Sequence, residues 1–317
     1  MLNDRKIIVY KNPVSSRAQK ALRSVESMLR DYRTNIIESH HPNIKDNAED
    51  LASQIDEGST IIVGGGDGQL RTAVEAVKLA VIKNIDIVPV KGGNSCDGAR
   101  TYQGKQNMLR GGRLLGLLIH GDRVPVNTLD ITVNGRTYGT AVNYAGIGLT
   151  AYSGEAVNGR FVRTARATIP GSEHLNGLMR VLEGGVIGAT VARHLREDIQ
   201  YTRGNSNHIS KELLYSAGHS LAGTFTLNGD SLEQHDPQVV CYEIESEAFV
   251  RNLPGILRGL MTGSLASDRK PNDTVVFSSE TAPIPIQLDG EHDYLEPGSI
   301  LTVNMHQNTF QTLRPAV

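Results

Sequence analysis

A short β-branched run, Thr60-Ile61-Ile62-Val63, ends abruptly in Gly64-Gly65-Gly66-Asp67-Gly68, and Leu70, Val74, Val77 and Val81 then recur at helical spacing. Glycines at such a strand-to-helix turn can take positive φ and let the backbone come close to a bulky anion. The helix that follows aims unpaired N–H groups and its positive dipole end at that anion. Asp67, itself negative, is unsuited to binding phosphate and suited to holding magnesium or a nucleotide hydroxyl. The competing reading is a tight turn in which Asp67 caps the helix. Neither common glycine fingerprint fits: no Gly-Lys-Ser/Thr follows, and the spacing is not that of the dinucleotide-binding pattern.

Two more loops of the same character follow neighbouring apolar runs. Lys91-Gly92-Gly93-Asn94-Ser95-Cys96-Asp97-Gly98-Ala99-Arg100 comes after Ile85–Val90, and Asn12-Pro13-Val14-Ser15-Ser16 comes after Ile7–Tyr10. Hydroxyls, backbone N–H groups and the Lys91 ammonium all suit phosphate, the ammonium as a point charge. Far along the chain, Asp289 and Glu291 bracket Gly290. On a strand, residues two apart face one side, so one carboxylate could take a proton from an attacking hydroxyl while the other orients it. The alternative is an Asp-Gly hairpin turn.

The elements that must hold these loops alternate in type. Ile7–Tyr10 reads as a strand, Ala18 to Tyr32 as an amphipathic helix begun by Ser15 or Ser16, Ala48 to Ile55 as a second helix, and Leu114 to Leu118 as a last one. Strands and helices in this order imply a mostly parallel sheet covered on both faces. Ligands of such sheets bind at the carboxyl ends of the strands, where all three loops fall. After Gly121 the pattern changes. Leu129, Ile131 and Val133 alternate with polar residues, Asn134-Gly135 signals a hairpin, and β-like runs recur at Gly223–Leu227, Val239–Ile244, Thr274–Phe277, Ile284–Leu288 and Ile300–Met305. Residues 152 to 209 carry a mixed, partly helical signal, and a helix over Phe249–Met261 interrupts the β-like runs despite Pro254. Two domains are expected, an α/β nucleotide-binding unit at 1–121 and a mainly antiparallel β unit at 122–308.

Bulk properties narrow the function. The 317 residues carry a formal net charge of −2 and no Trp, which argues against a basic or base-stacking nucleic-acid binder. Two cysteines far apart, Cys96 and Cys241, point to a reducing compartment without a disulfide framework. The first apolar run is too short for a signal peptide, and no stretch approaches the roughly 20 apolar residues of a membrane span. A cytoplasmic protein is expected, meeting any membrane from the side.

Asn12-Pro13 with Ser15, Gly65-Gly66-Asp67-Gly68, Gly93-Asn94 with Asp97 and Ala99-Arg100, Asn143 with Ala145-Gly146-Ile147-Gly148, and Asp289-Gly290-Glu291 together resemble the diacylglycerol kinase catalytic family, which includes bacterial lipid kinases and sphingosine kinases. The resemblance spans nearly the whole chain. It implies an N-terminal α/β nucleotide domain, a C-terminal β-sandwich-like domain, a cleft between them, and return of residues 309–317 to the first domain. It further implies ATP- and magnesium-dependent phosphorylation of a lipid hydroxyl, with Glu291 as base, Asp289 supporting and Asp67 at the metal. Three positions depart from the family pattern: Gln69 replaces Thr, Lys91-Gly92 stand for Gly-Thr, and Thr150 lies where an acidic residue is usual. Two other functions compete, an NAD kinase and a nucleotide-binding protein without turnover. Arg160, Arg163 and Arg166 recur every third residue, a stripe suited to acidic headgroups or, as the ordinary reading, to solvent. His40-His41 reads as an exposed loop pair and Cys241 as core. An edge strand of the second domain could pair with a second copy.

Overall fold

The structure, a computed structural model, describes residues 5–13, 15–30, 32–41, 43–91, 97–103, 112–159, 185–190, 192–194, 196–218, 220–221, 225–226, 238–262, 264–280 and 282–314. The first half runs β1 (Ile7–Lys11), α1 (Ser16–Met28), β2 (Thr34–Glu38), α2 (Ile44–Ala52), β3 (Thr60–Gly65), α3 (Asp67–Ala80), β4 (Asp86–Lys91), α4 (Asp97–Gln103) and α5 (Gly112–His120). β4, β3, β1 and β2 are neighbours in that order and pair in parallel. Period-two alternation divides each strand between two cores. Ile8, Tyr10, Ile61 and Val63 pack with Ala48 and Leu51 of α2 and with Leu70, Val74 and Val77 of α3. Ile7, Val9 and Ile62 pack on the opposite face with Leu22 and Val25 of α1 and Leu114 and Leu117 of α5. β2 is half exposed and its apolar content is only Ile36-Ile37, so periodicity did not announce it as a strand.

The second half is antiparallel: β5 (Asp122–Val133), β6 (Arg136–Ala141), β7 (Tyr144–Gly148), α6 (Leu149–Asn158), β8 (Ile199–Arg203), β9 (Ser206–Ser216), the short pair β10 (Ser220–Leu221) and β11 (Phe225–Thr226), β12 (Val239–Glu245), α7 (Ser246–Thr262), β13 (Asp268–Lys270), β14 (Asn272–Phe277), β15 (Ile284–Leu288), β16 (Glu291–Leu295) and β17 (Ile300–Arg314). Asn134 at φ 52° and Gly135 at φ 74° make the expected hairpin turn. α7 is broken at Asn252, two residues before Pro254, where φ is −142°. Strands β8 and β9 replace the mixed signal around residues 199–209, and β9 continues to Ser216. The parallel and antiparallel parts form one hydrogen-bonded sheet, because β5 and β17 run through both. Val126 and Phe310 pack in the first half's core, whereas Leu129, Ile131, Leu301 and Val303 pack in the second. The crossing therefore falls inside β5, near Asn127, where Asn308 N–H donates to Asn127 Oδ1 at 3.0 Å.

Side chains of α3 and α4 tie the halves together beside this ribbon. Lys78 Nζ reaches Asp130 Oδ1 at 2.5 Å and Thr140 Oγ1 at 2.6 Å, and Glu75 accepts from Thr140 N–H at 2.8 Å. Tyr102 donates its hydroxyl to the Val142 carbonyl at 3.0 Å. The seam between the halves is thus fixed on the helix that begins at Asp67. That helix ends on Val81, which is 87% exposed at φ 54°, a conformation a β-branched residue adopts only under strain.

Candidate active site

Parallel register brings the strand ends together: Lys11 faces Gly64 across β1 and β3, and Gly65 faces Lys91 across β3 and β4. Asn12–Ser15 and Gly66–Gly68 therefore leave the same edge of the sheet, as the alternating sequence requires. Asn12 N–H donates to the Gly64 carbonyl at 3.2 Å, which ties the first loop to the glycine run. Ser15 caps α1, accepting from Ala18 N–H at 3.2 Å, and Gln19 Nε2 donates to the Pro13 carbonyl. Ser16 is the first residue of α1, and Lys91 ends β4. Gly92, Gly93 and Asn94, with Ser95 and Cys96, lie outside the described residues, as does the stripe of Arg160, Arg163 and Arg166. His40 and His41 donate their backbone N–H groups to Asn47 Oδ1, both at 3.0 Å, and the exposed His41 ring pairs with Asp50.

The glycine run corrects one expectation. Gly66 has φ −92°, and Gly64, Gly65 and Gly68 also lie outside the positive-φ region. These glycines provide room rather than unusual dihedrals. A Cβ on Gly64 would lie 2.0 Å from Leu22 Cδ1, one on Gly65 2.5 Å from Gln69 Cβ, and one on Gly68 2.7 Å from Glu291 Oε1. Gln69, standing where a hydroxyl was expected, lies back against Gly65. α3 begins without a side-chain cap, so Asp67 is not its cap. Asp67 Oδ1 instead accepts from Gly98 N–H at 2.9 Å, which anchors the start of α4 to α3.

Glu291 comes from the other half of the chain and stands against Gly68, one residue from Asp67. Asp289 and Glu291 do not lie on one strand. Asp289 at φ 52° and Gly290 at φ 89° form the tight turn between β15 and β16, and Leu288 pairs with Glu291 across it. The two carboxylates consequently have different surroundings. Glu291 is exposed, while Asp289 is 4% exposed and accepts from the backbone N–H groups of Val142, Asn143 and Tyr144 at 2.6, 2.8 and 3.1 Å. Burial pushes the Asp289 carboxyl up to about 6, opposed by those amides and by the Arg71 guanidinium. Asp289 thus holds the turn to the β6–β7 corner, and Glu291 is what the turn presents. Asn143, in the same corner, accepts from Thr101 Oγ1 at 2.9 Å.

Sequence reading missed two groups here. Glu212 of β9, a charged residue inside an apolar run, is 2% exposed and accepts from Thr150 N–H at 2.9 Å and from the Thr150 hydroxyl. A carboxyl group therefore does stand at the start of α6 beside Thr150, supplied from a neighbouring strand. Burial pushes it up to about 8. Arg71, one helical turn after Asp67, lies against Gly139 of β6. Among the described residues no group of three or more His, Cys, Asp or Glu side chains could hold a metal by itself. Magnesium does not need one, since it is commonly bound through one or two carboxylates together with substrate phosphates. Asp67 at an uncapped helix N-terminus, with Glu291 beside Gly68, fits that donor set. A cavity of about 740 Å³ at the far end of α3, lined by Val81, Lys83, His306 and Asn308 among others, includes none of these residues.

Residues 6–129 match the family model of the diacylglycerol kinase catalytic domain. Over this segment the chain is similar to that family, in line with the resemblance carried by its loops. The matched segment contains Asn12, Gly64–Gly68 and Gly98 and ends at the crossing into the second half. Solved structures share the complete fold. A candidate diacylglycerol kinase from Bacillus anthracis str. Sterne aligns over 98% of this chain and 97% of its own, with TM-score 0.67 at 17% identity. A diacylglycerol kinase from the same organism aligns over 98% and 96%, with TM-score 0.62 at 14% identity. No curated protein matches the chain. The segment similar to that family therefore sits in a two-domain architecture that those proteins share. Among the described residues no helix is long and apolar enough to cross a membrane.

Proposed function

We propose that this protein is an ATP- and magnesium-dependent kinase that transfers the γ-phosphate to a hydroxyl of diacylglycerol or a related lipid alcohol. The observation that carries this reading is the meeting of Glu291, from the second half, with Gly68 at the start of α3 beside Asp67. In this reading residues 1–121 with 309–317 hold the nucleotide, and the β-sandwich-like unit at 122–308 holds the acceptor. Its phosphates lie along Gly64–Gly68 and the N-terminus of α3, with Asn12, Pro13, Ser15, Ser16, Lys91, Gly92, Gly93 and Asn94 forming the walls. Asp67 holds magnesium, which neutralises charge on the phosphates.

Glu291 takes the proton from the acceptor hydroxyl as its oxygen bonds to the γ-phosphorus and the bond to the departing ADP oxygen breaks. The exposure of Glu291 suits it to meet an acceptor, and the burial of Asp289 suits it to hold Glu291 in place. The reading places the protein in the cytoplasm, at the inner membrane surface when it meets a lipid acceptor, and leaves the antiparallel edge strands available for pairing with a second copy.

The test incubates the full chain with terminally labelled ATP, magnesium and mixed micelles of a total lipid extract. Label in the organic phase that disappears with Glu291→Gln supports the reading. Transfer to NAD with none to lipid would instead make it an NAD kinase. Nucleotide-dependent thermal stabilisation with no transfer to any acceptor would leave a binding protein without turnover.

A further inference from the structure

The cavity of about 740 Å³ at the end of α3 lies at the opposite edge of the parallel strands from the glycine loops. Two breaks in regular geometry meet there. β17 shifts register against β5 between His306 and Phe310, with Asn308 at φ 51°. Such a bulge interrupts the ladder and bends its strand. Facing it, α3 closes on Val81 at φ 54°, and Asn84 follows at φ 62°.

The lining is divided by chemistry. Its buried members, Val77, Ile85 and Phe310, are all apolar, whereas Lys83, His306 and Asn308 are exposed. Among the described residues no Asp or Glu lines it. Lys78 is committed to Asp130 and Thr140, and His306 Nδ1 lies 2.9 Å from Asp130 Oδ2. Lys83 has no carboxylate partner among the described residues. Val81 keeps a left-handed backbone where glycine is the usual helix terminator, although its β-branched side chain is 87% exposed. Strain of this kind persists at ligand sites, and the side chain retained at that cost is an apolar wall of the cavity.

We propose that this cavity is a ligand site separate from the glycine loops, which takes an organic anion with an apolar body. The body lies against Val77, Val81 and Phe310, and its carboxylate or phosphate meets Lys83. The volume is that of a small-molecule pocket. A bare phosphate would leave the apolar wall uncovered, and a neutral apolar molecule would leave the Lys83 charge unanswered. The inference does not rest on the kinase reading, because none of the residues assigned to phosphate transfer lines the cavity.

Calorimetric titration of the full chain with octyl phosphate tests it, with inorganic phosphate and octanol as the two parts taken singly. Octyl phosphate is expected to bind, and each part alone to bind about tenfold more weakly or not at all. Lys83→Glu should weaken octyl phosphate about tenfold by reversing the charge, while Lys83→Arg retains it. Val81→Gly is the sharper variant. It relieves the backbone, so its unfolding midpoint should hold or rise, yet it should bind about fivefold more weakly for want of the apolar wall.

Sedimentation with phosphatidylcholine vesicles, with and without phosphatidylglycerol, separates the two sources of such an anion. Pelleting that needs both phosphatidylglycerol and Lys83 assigns the site to a lipid headgroup; its absence, with octyl phosphate bound, assigns it to a soluble molecule. Octyl phosphate that fails to bind, or that binds Lys83→Glu and Val81→Gly like the wild type, overturns the proposal. Equal affinity for octanol or for inorganic phosphate would also overturn it, by removing the need for the charge or for the apolar body. A chain that transfers no phosphate to any acceptor would end the kinase reading and leave these titrations as decisive as before.

Discussion

Replacing Gly68 by alanine separates the site from the fold. The added methyl would lie 2.7 Å from Glu291 Oε1 and 3.6 Å from its Cδ, against 3.4 Å or more for ordinary contacts. The obstacle is the end of an exposed, flexible side chain, so the carboxylate can retreat by about 0.7 Å or more at little energetic cost. Alanine in the first turn of α3 recovers part of the roughly 1 kcal/mol helix penalty of glycine. Stability should therefore stay within about 1 kcal/mol of wild type. A base displaced by about 1 Å, however, can lose on the order of 100-fold in rate. Gly68→Ala is expected to transfer label from ATP to the organic phase about 100-fold more slowly, with an unchanged unfolding transition. Combined with Glu291→Gln, it should add little further loss, because both changes remove one function. Wild-type transfer by Gly68→Ala, or losses that simply multiply in the double variant, would refute the argument that Glu291 acts from its place against Gly68.

Two further outcomes are expected. Glu212 is raised to about 8 by burial, so its contribution to stability is full below about pH 4.5 and is lost as the pH rises through 8; Glu212→Gln, whose amide can still bond Thr150, should gain in Tm relative to wild type from pH 6 to 9 by the equivalent of a few kcal/mol, and a pH-independent difference would remove the buried ionisation from the account. Val81→Gly relieves a left-handed β-branched residue that is almost fully exposed, so its denaturant midpoint should rise by the equivalent of about 0.5–1 kcal/mol, and a lower midpoint would show that Val81 is not strained.

Much of the parallel first half was legible in the residues themselves. Helix periodicity, the Ser15 cap, the β-branched runs and the glycine breaks are local signals, and the parallel order that brings strand ends together follows from strand–helix alternation. Reading Asn134-Gly135 as a turn succeeded for the same reason, since two positive-φ positions select their residues. The end of the mixed stretch, up to Ile209, was unreadable because β8 and the first four residues of β9 are largely exposed or half-buried and rich in polar residues. The role of the loop glycines was misread as conformational, because the neighbours that crowd Gly64, Gly65 and Gly68 come from other elements and are invisible locally.

By itself, then, the sequence determined which loops could bind phosphate and that Asp289 and Glu291 were carboxylates worth attention. Only the tertiary structure decided their division of labour. A turn sends Asp289 inward to three backbone amides and Glu291 outward to Gly68, which lies more than 200 residues earlier in the chain. The physical reason is that burial and hydrogen-bond supply, which separate two chemically similar acids, are set by what packs around them and not by their own spacing.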